Sequence, residues 1–393
     1  MFVELPPPVH HVEPWGEPFE RRLAALRGGR PRIAYFYESP DNSTFRYRVF
    51  NMIEAIGREW PDASAAYFSL ADGAGLARVA ETADILVICR ARYSALIGDL
   101  VARIRRRGAR VLFDVDDLVF DTRYVELMLH TLAQPVNEGA WDWWFAYTSR
   151  IGRTLALCDG AITTNEYLAD RIRDVAPVDV RVVPNFMNPA QIAHSREIMD
   201  AKRRSGFRRD HALHIGYFSG SPTHVHDFAV ATASLADILR RYPEVRLRMV
   251  GYLEVPPVLE PFAERLDRHA FTDYVNLQGL VGATEINIAP LQDNRFTNCK
   301  SELKFFEASA VGTVTCASPT YTFEKAVQPG ENGYLAAAHR WSEVLGEIVD
   351  DLLDGGRRYR EVAERTFEEA TAHYSGPGQI AAIRRALMRG EGA

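Results

Sequence analysis

The amino-acid sequence predicts an α/β protein built from two doubly wound, Rossmann-like domains that face each other across a cleft. Two observations support this prediction. Short apolar runs typical of buried strands alternate with amphipathic helical patterns, and the alternation starts again near residue 213. Strands that alternate with helices indicate βαβ units and parallel sheets. The chain has 393 residues, 47% of them hydrophobic, which is enough for two such cores.

The first half contains the first series of alternating elements. Helices are expected at 19–29, 48–60, 93–108 and 140–158. Strands are expected at 32–37, 65–69, 84–89, 110–115, 160–164 and 180–184. The polar stretch at 194–211 is typical of a helix and connector, so we predict one domain at 1–205 and a second at 206–375. A last helix, at about 376–393, is expected to pack back on the first domain.

The second half repeats the pattern. Strands are expected at 213–219, 245–251, 274–278, 285–291 and 313–318. Helical patterns follow at 225–243, 301–312, 341–356, 359–374 and 379–389. The helix at 301–312 ends at Gly312, because glycine often terminates helices.

Composition and charge exclude several classes of protein. The formal net charge of -6 argues against a general nucleic-acid binder, which would be basic. The four cysteines show no zinc-ligand spacing and favour a reducing compartment. The first residues lack a signal-peptide pattern, and no apolar run is long enough to span a bilayer. The sequence therefore predicts a cytoplasmic protein.

The predicted helix at 301–312 carries a candidate anion site. Ser301 is the expected N-cap, and the unpaired N–H groups of a first helical turn favour anions. Lys300 and Lys304 flank that turn, and Glu307 follows three residues after Lys304. Residues at this spacing lie near the same face of a helix. The alternative is an exposed amphipathic helix in which lysine and glutamate pair.

A run of aspartates, FDVDDLVFD at 113–121, forms a second candidate site. Asp116 and Asp117 come at the carboxyl end of a predicted strand, where parallel sheets bind ligands. A carboxylate there could bind hydroxyl groups or take a proton. The alternatives are a cap for the turn that follows and a metal site.

Two surface features have structural as well as functional interpretations. The basic run at 103–110 is most often a solvated helix end, but it could contact anionic lipid head groups. Three tryptophans in AWDWWF, Trp141, Trp143 and Trp144, could form a binding platform, although helix packing is expected for at least two of them.

Four stretches together resemble GT-B glycosyltransferases, especially retaining enzymes of family 4. They are DGAITTNEYLADRI with VRVVPNFMNP, LHIGYFSGSPTH, EINIAPL with KSELKFFEASAVGTVTCAS, and ENGYLA. Their order and spacing are more specific than any one of them, and the resemblance covers roughly residues 30–375.

The resemblance implies a retaining glycosyltransferase that uses a nucleotide-diphosphate sugar. The acceptor would be a glycan, a lipid-linked or a protein-linked molecule, in surface polysaccharide or glycoconjugate synthesis. In this alignment Glu307 holds the ribose hydroxyls, and Asp116 and Asp117 face the donor sugar and acceptor. Arg46 and Arg48 are candidates for the acceptor side, with surface pairing as the alternative.

The remaining donor contacts follow from the same alignment. They are Gly220, Ser221, Thr223, Arg295, Lys300, Ser301 and Lys304. Since fixed cations and backbone N–H groups could neutralise the diphosphate, neither a metal nor another cofactor is expected. The expected partners are a nucleotide sugar and an acceptor, with peripheral contact to an anionic membrane and no nucleic acid.

The sequence departs from the family pattern in three places. Cys299 stands where the family often has a glutamate that contacts the transferred sugar, and the basic pair after the glycine loop is absent. The step from VNLQGLV to EINIAPL is shorter than the family's usual helix-containing segment. Two alternatives therefore stay open: a nucleotide-sugar epimerase or hydrolase, and a non-catalytic protein that binds a glycan or a partner.

Overall fold

The computed structural model describes residues 1–220, 222–251 and 254–388. These residues form two six-stranded sheets, and every strand pairing is parallel. The strand order is β2-β1-β3-β4-β5-β6 in the first sheet and β12-β11-β10-β7-β8-β9 in the second. We call the regions around the two sheets the first and the second domain.

The strands of the first sheet lie where the apolar runs predict them. They are β1 Arg32–Phe36, β2 Ser64–Phe68, β3 Ile85–Cys89, β4 Arg110–Val115, β5 Gly160–Thr163 and β6 Asp179–Val182. Alternate residues of β1 enter different cores, because Ile33 packs in one apolar cluster and Ala34 in another. A sheet buried on both faces needs continuous apolar runs, and for this reason the sequence predicts these strands correctly.

The second sheet consists of strands of very different length. They are β7 Leu213–Ser219, β8 Val245–Gly251, β9 Leu266–His269, β10 Ile286–Ala289, β11 Val314–Ala317 and β12 Tyr334–Leu335. The edge strand β9, LDRH, was not predicted, because its polar residues lack the apolar run of a buried strand.

Helices connect the strands of both sheets. They are α1 Phe19–Leu26, α2 Asn51–Glu59, α3 Leu76–Thr82, α4 Ala95–Arg106, α5 Val125–Thr131, α6 Glu138–Leu155, α7 Glu166–Arg173, α8 Pro189–Arg204, α9 Val225–Arg241, α10 Tyr274–Ala283, α11 Leu303–Ser309, α12 Tyr321–Ala326, α13 Trp341–Leu353, α14 Arg357–His373 and α15 Gly376–Leu387. A π-helix, Arg46–Phe50, precedes α2. None of the helices in the described part of the chain has the length and apolar character needed to cross a membrane.

The predicted strand at 274–278 is wrong, because these residues begin helix α10. The carboxylate of Asp273 caps this helix by accepting hydrogen bonds from the backbone N–H groups of Val275 and Asn276. The segment is apolar on nearly all sides, so its sequence shows no helical period. Helix α10 therefore provides, before β10, the helix-containing segment that was expected to be missing.

Both ends of the described chain cross between the domains. Near the start, Phe2 packs in the core of the second domain, and Trp15 then contacts both Phe45 and Tyr274. Near the end, α15 packs on α2, and the Arg384 guanidinium donates a hydrogen bond of 2.9 Å to the carbonyl oxygen of Glu59. The two domains are therefore linked by more than the connecting helix α8.

A buried ion pair ties the π-helix to β4. Arg48 binds both carboxylate oxygens of Asp114, at 2.8 Å and 3.0 Å, and donates a third bond of 2.7 Å to the carbonyl oxygen of Val183. Both side chains are completely buried. Burial raises the pKa of Asp114 to about 6, and Arg48 opposes that rise. The prediction that Arg48 contacts the acceptor is therefore wrong, and so is its surface alternative, because the guanidinium is enclosed and fully paired.

We expect Arg48→Met to destabilise the protein by about 3 to 5 kcal/mol, because it leaves the Asp114 carboxyl buried without its partner. The measurement is urea unfolding of the full chain. Arg92→Met is the matched control: Arg92 also binds a carboxylate, that of Glu38, but the pair is partly exposed. Its loss should cost about 1 kcal/mol or less. Equal effects of the two changes would contradict the structural role given to Arg48.

Candidate functional site

Two adjoining cavities lie between the domains, where the carboxyl ends of strands from both sheets meet. The larger, which we call the large cleft cavity, has a volume of about 470 Å³. The small cleft cavity has about 190 Å³. Four residues line both of them: Asp116, His224, Leu303 and Lys304. Ligands of doubly wound sheets bind in this kind of crevice.

Asp116 lies in the cleft just after β4 and is shared by the two cavities. One carboxylate oxygen accepts a hydrogen bond of 2.8 Å from the Thr44 hydroxyl. The other accepts one of 3.2 Å from Arg90, which balances the charge. The side chain is 16% exposed, so a hydroxyl of a bound ligand could still reach it. Asp116 is thus an anchored carboxylate that faces the cleft.

Asp117 combines the two roles that the sequence allows. Its Oδ1 accepts a hydrogen bond of 2.9 Å from the backbone N–H of Leu118, which is the predicted local cap. Its Oδ2 lies 3.8 Å from the ammonium of Lys300 and lines the small cleft cavity. The capping interpretation is therefore part of the geometry, and one oxygen remains directed toward a cation.

The two predicted lysines lie at the small cleft cavity. Lys304 donates a hydrogen bond of 2.7 Å to the carbonyl oxygen of Phe218, and its ammonium lies over the ring of Tyr217. Burial lowers the pKa of Lys304 to about 8, and neighbouring Lys300 contributes in the same direction. Two like charges in a confined space favour binding of an anion between them.

His224 and Asp227 form a pair that the sequence analysis missed. The Nδ1 of His224 lies 2.9 Å from the buried carboxylate of Asp227, which also accepts two bonds from Gln292. Burial lowers the pKa of His224, and Lys300 and Lys304 add to that effect while Asp227 opposes it. Because Nδ1 donates to the carboxylate, Nε2 is left to accept a hydroxyl proton, or to donate when the ring is protonated. The His-x-x-Asp spacing after the glycine loop was the available signal.

Glu307 lies at the large cleft cavity and is 15% exposed. Its Oε1 accepts hydrogen bonds from the Tyr47 hydroxyl, from Gln191 at 3.0 Å and from Arg46 at 3.4 Å. Tyr47 and Arg46 belong to the π-helix of the first domain. Residues distant in sequence therefore meet at this carboxylate, and sequence alone did not indicate Tyr47 or Gln191.

The predicted helix N-terminus at Ser301 is not formed. Helix α11 begins at Leu303, its N-cap position is Glu302, and no side chain caps it. The Ser301 hydroxyl instead accepts a hydrogen bond of 3.0 Å from Asn185 at the small cleft cavity. The helix has only seven residues and ends before Gly312. The structure therefore contradicts the predicted anion site at a helix N-terminus. The positive groups that line this cavity are lysine side chains.

The other predicted donor contacts differ in whether they reach the cleft. Arg295 is exposed, lines neither cavity and donates a 3.4 Å bond to the hydroxyl of Tyr124. Gly220 lines the large cleft cavity, and Thr223 lies in the short 3-10 helix that follows. Ser221 lies outside the described residues.

Cys299 is buried among first-domain core residues, so its thiol does not face the cleft.

The two surface features also have defined environments. Trp143 is 52% exposed and stacks on Tyr147, whereas Trp141 and Trp144 pack against the first-domain core. In the basic run, Arg103 pairs with Asp99, Arg105 pairs with Asp159, and Arg107 donates to two carbonyl oxygens. The described residues contain no group of three or more side chains suited to hold a metal ion.

Residues 210–354 match the family model described as Glycosyl transferases group 1. This segment contains the second sheet up to α13, including Lys300, Lys304 and Glu307. A search of the curated proteins found no matching sequence. The match to this family model therefore lies within the second half of the chain.

Solved structures resemble nearly the whole chain. HepE from Anabaena, in complex with UDP-glucose, has a TM-score of 0.58 and 12% identity over 90% of this chain and 98% of its own. Sucrose-phosphate synthase from Thermosynechococcus elongatus has a TM-score of 0.55 and 15% identity over 90% and 96%. A glycosyltransferase from Rickettsia africae has 0.59 and 12% over 90% and 96%. Identities this low show the fold alone, and the predicted GT-B fold is confirmed.

We expect anion binding in the small cleft cavity to depend on the charge of Lys304. A protonated lysine attracts phosphate, so affinity for a nucleoside diphosphate should be highest below the pKa of about 8 and fall as the pH rises through it. Calorimetry across this pH range is the measurement. Lys304→Met should weaken binding roughly tenfold at neutral pH and remove the pH dependence.

Lys325→Met is the matched control, because Lys325 is exposed and lines neither cleft cavity. It should bind like the wild-type protein at every pH. If the affinity of Lys304→Met still falls around pH 8, another group is responsible for that titration.

Proposed function

We propose that this protein is a glycosyltransferase that transfers a sugar from a nucleotide-diphosphate donor to an acceptor hydroxyl. The observation that carries the proposal is the spatial order of the side-chain groups that line the two adjoining cavities. Glu307 lines the large cleft cavity, Lys300 lines the small one, and Lys304 and Asp116 line both. A hydroxyl-binding carboxylate, a pair of cations and a second carboxylate match ribose, diphosphate and reacting sugar.

The donor would span both cavities. Apolar and aromatic residues beside Glu307 suit a nucleobase; they are Val250, Phe271, Tyr274 and Leu277. The ribose hydroxyls would donate to Glu307, and the diphosphate would lie between Lys300 and Lys304. The presence of UDP-glucose in the similar HepE structure supports a nucleotide sugar as donor.

Catalysis would come from positioning and from stabilisation of the departing diphosphate. The two lysines face the region where negative charge develops, and a partly enclosed cleft strengthens such interactions. Asp116 would bind the acceptor hydroxyl or accept its proton, and Arg90 and Thr44 hold its carboxylate in place. A retaining outcome follows from the family 4 resemblance and is part of the proposal.

The acceptor side rests on the resemblance to enzymes of surface polysaccharide and glycoconjugate synthesis. A glycan, a lipid-linked or a protein-linked acceptor would approach Asp116 from the first domain. Peripheral membrane contact through residues 103–110 has less support, because most of these arginines already have carboxylate or carbonyl partners.

Turnover of a panel of nucleotide sugars tests the proposal against its alternatives. A glycosyltransferase should consume its donor much faster when a suitable acceptor is present. Equal consumption with and without acceptors would indicate an epimerase or hydrolase. No binding of any nucleotide sugar would indicate a non-catalytic protein and contradict the proposal.

We expect Asp116→Asn to lower turnover by roughly a hundredfold or more, the usual scale for a positioned acid or base. The change keeps the shape of the side chain but removes its charge. Donor affinity and thermal stability should change little. Asp99→Asn, which alters an exposed carboxylate on α4, is the control and should leave turnover unchanged. A normal turnover number for Asp116→Asn would leave Asp116 as a structural residue only.

Activity should persist in excess chelator, because Lys300 and Lys304 supply the positive charge that a metal provides in other sugar transferases. The measurement is turnover before and after treatment with EDTA. Complete loss of activity that manganese or magnesium restores would refute this prediction.

A further inference from the structure

The carboxylate proposed to bind the donor ribose is held by residues outside its own domain. Oε1 of Glu307 accepts bonds from Tyr47, Gln191 and Arg46. Tyr47 and Arg46 lie on the π-helix of the first domain, and Gln191 lies in the first turn of the connecting helix α8. A single oxygen atom on helix α11 is thus held from two other elements, the π-helix and α8.

The groups that hold Glu307 are themselves fixed. The guanidinium of Arg46 lies between the rings of Tyr47, at 4.0 Å, and Tyr274, at 4.6 Å. It also donates to the carbonyl oxygen of Asn42 at 2.9 Å and to the amide oxygen of Gln191 at 3.2 Å. Arg46 is 5% exposed, so none of these contacts competes freely with water. The cluster therefore has little freedom to rearrange.

The second carboxylate oxygen of Glu307 is in a different situation. Within the described residues, Oε2 accepts no hydrogen bond, although the side chain lines the large cleft cavity. A carboxylate with one oxygen held by three donors cannot turn without breaking them. Oε2 is consequently the oxygen available for a ligand hydroxyl.

We infer that Tyr47, together with Arg46 and Gln191, positions Glu307 to accept a ribose hydroxyl of the donor nucleotide. This inference rests on the proposed function and adds that the first domain takes part in recognising the nucleotide. Discrimination between ribose and deoxyribose then depends on contacts across the domain boundary. A site built to bind a hydroxyl rejects analogues that lack it, because its polar group is left unpaired.

The experiment compares ligands that differ by one hydroxyl. Among ADP, GDP and UDP, the one that the wild-type protein binds best is titrated by calorimetry, together with its 2′-deoxy and 3′-deoxy counterparts. We expect the wild type to lose roughly ten- to a hundredfold in affinity when the hydroxyl bound by Glu307 is absent. Glu307→Gln should bind the ribonucleotide and that deoxynucleotide with similar, low affinity.

Tyr47→Phe removes only the hydroxyl that contacts Glu307. We expect it to weaken ribonucleotide binding roughly tenfold while affinity for the discriminated deoxynucleotide stays unchanged. Combined with Glu307→Gln, it should add nothing, because the residue through which it acts has already lost its charge. Gln191→Leu removes a second donor to the same oxygen. It should likewise lower the ratio of ribonucleotide to deoxynucleotide affinity.

Tyr242→Phe is the matched control. Its hydroxyl also donates to a carboxylate, that of Asp350, at 2.9 Å, but it lines neither cleft cavity. This variant should show the wild-type ratio. If Tyr47 had only a structural role, Tyr47→Phe would lower thermal stability without changing the ratio of ribonucleotide to deoxynucleotide affinity.

The possible results separate this inference from the proposed function. A wild-type ratio in both Tyr47→Phe and Gln191→Leu would overturn the inference and leave the donor site intact. Tighter ribonucleotide binding by Tyr47→Phe would also overturn it, because Tyr47 would then compete with the ribose. If the wild-type protein binds none of the three nucleotides, or does not discriminate either deoxynucleotide, the ribose role of Glu307 fails and the inference with it.

Discussion

One buried ion pair, between Arg48 and Asp114, holds together the parts of the molecule that form the cleft. Asp114 lies at the end of β4, two residues before Asp116, and Arg48 lies on the π-helix one residue after Tyr47. The same guanidinium reaches the chain after β6, where Asn185 contacts Ser301. Because charges this deeply buried must remain paired, the relative position of these three segments is strongly constrained.

Most of the fold was predictable, because the sheets are buried on both faces. Such strands are continuous apolar runs, and the predicted strands of the first sheet were all found. The failures have a physical reason in common. The sequence predicts a strand where helix α10 lies, because that segment is apolar on nearly all sides. It predicts no strand at β9, because that edge strand is polar. In both cases the pattern of apolar residues shows which positions are buried. Burial depends on how the segment packs, and it does not by itself distinguish a helix from a strand.

The candidate site was predictable only where topology determines position. Parallel strands end at one edge of a sheet, and so Asp116 and Asp117 lie in the cleft, as expected. Arginines follow no such rule. Arg48 is buried against Asp114, a partner 66 positions away in the sequence, and Arg295 lines neither cleft cavity. The contacts of Glu307 with Tyr47 and Gln191 depend on the packing of two domains, which a single sequence does not express. The prediction that Ser301 is an N-cap was also wrong, because helix α11 begins at Leu303 and its N-cap position is Glu302.

The central claim is that the donor nucleotide binds between the domains, with its ribose at Glu307 and its diphosphate at Lys300 and Lys304. The most direct test is a crystal structure of the full chain with the nucleoside diphosphate that binds it best. The account predicts a ribose hydroxyl within hydrogen-bond distance of Glu307, phosphate oxygens at both lysines, and the base against the apolar side of the large cleft cavity. A nucleotide bound elsewhere, or one whose ribose faces away from Glu307, would contradict it.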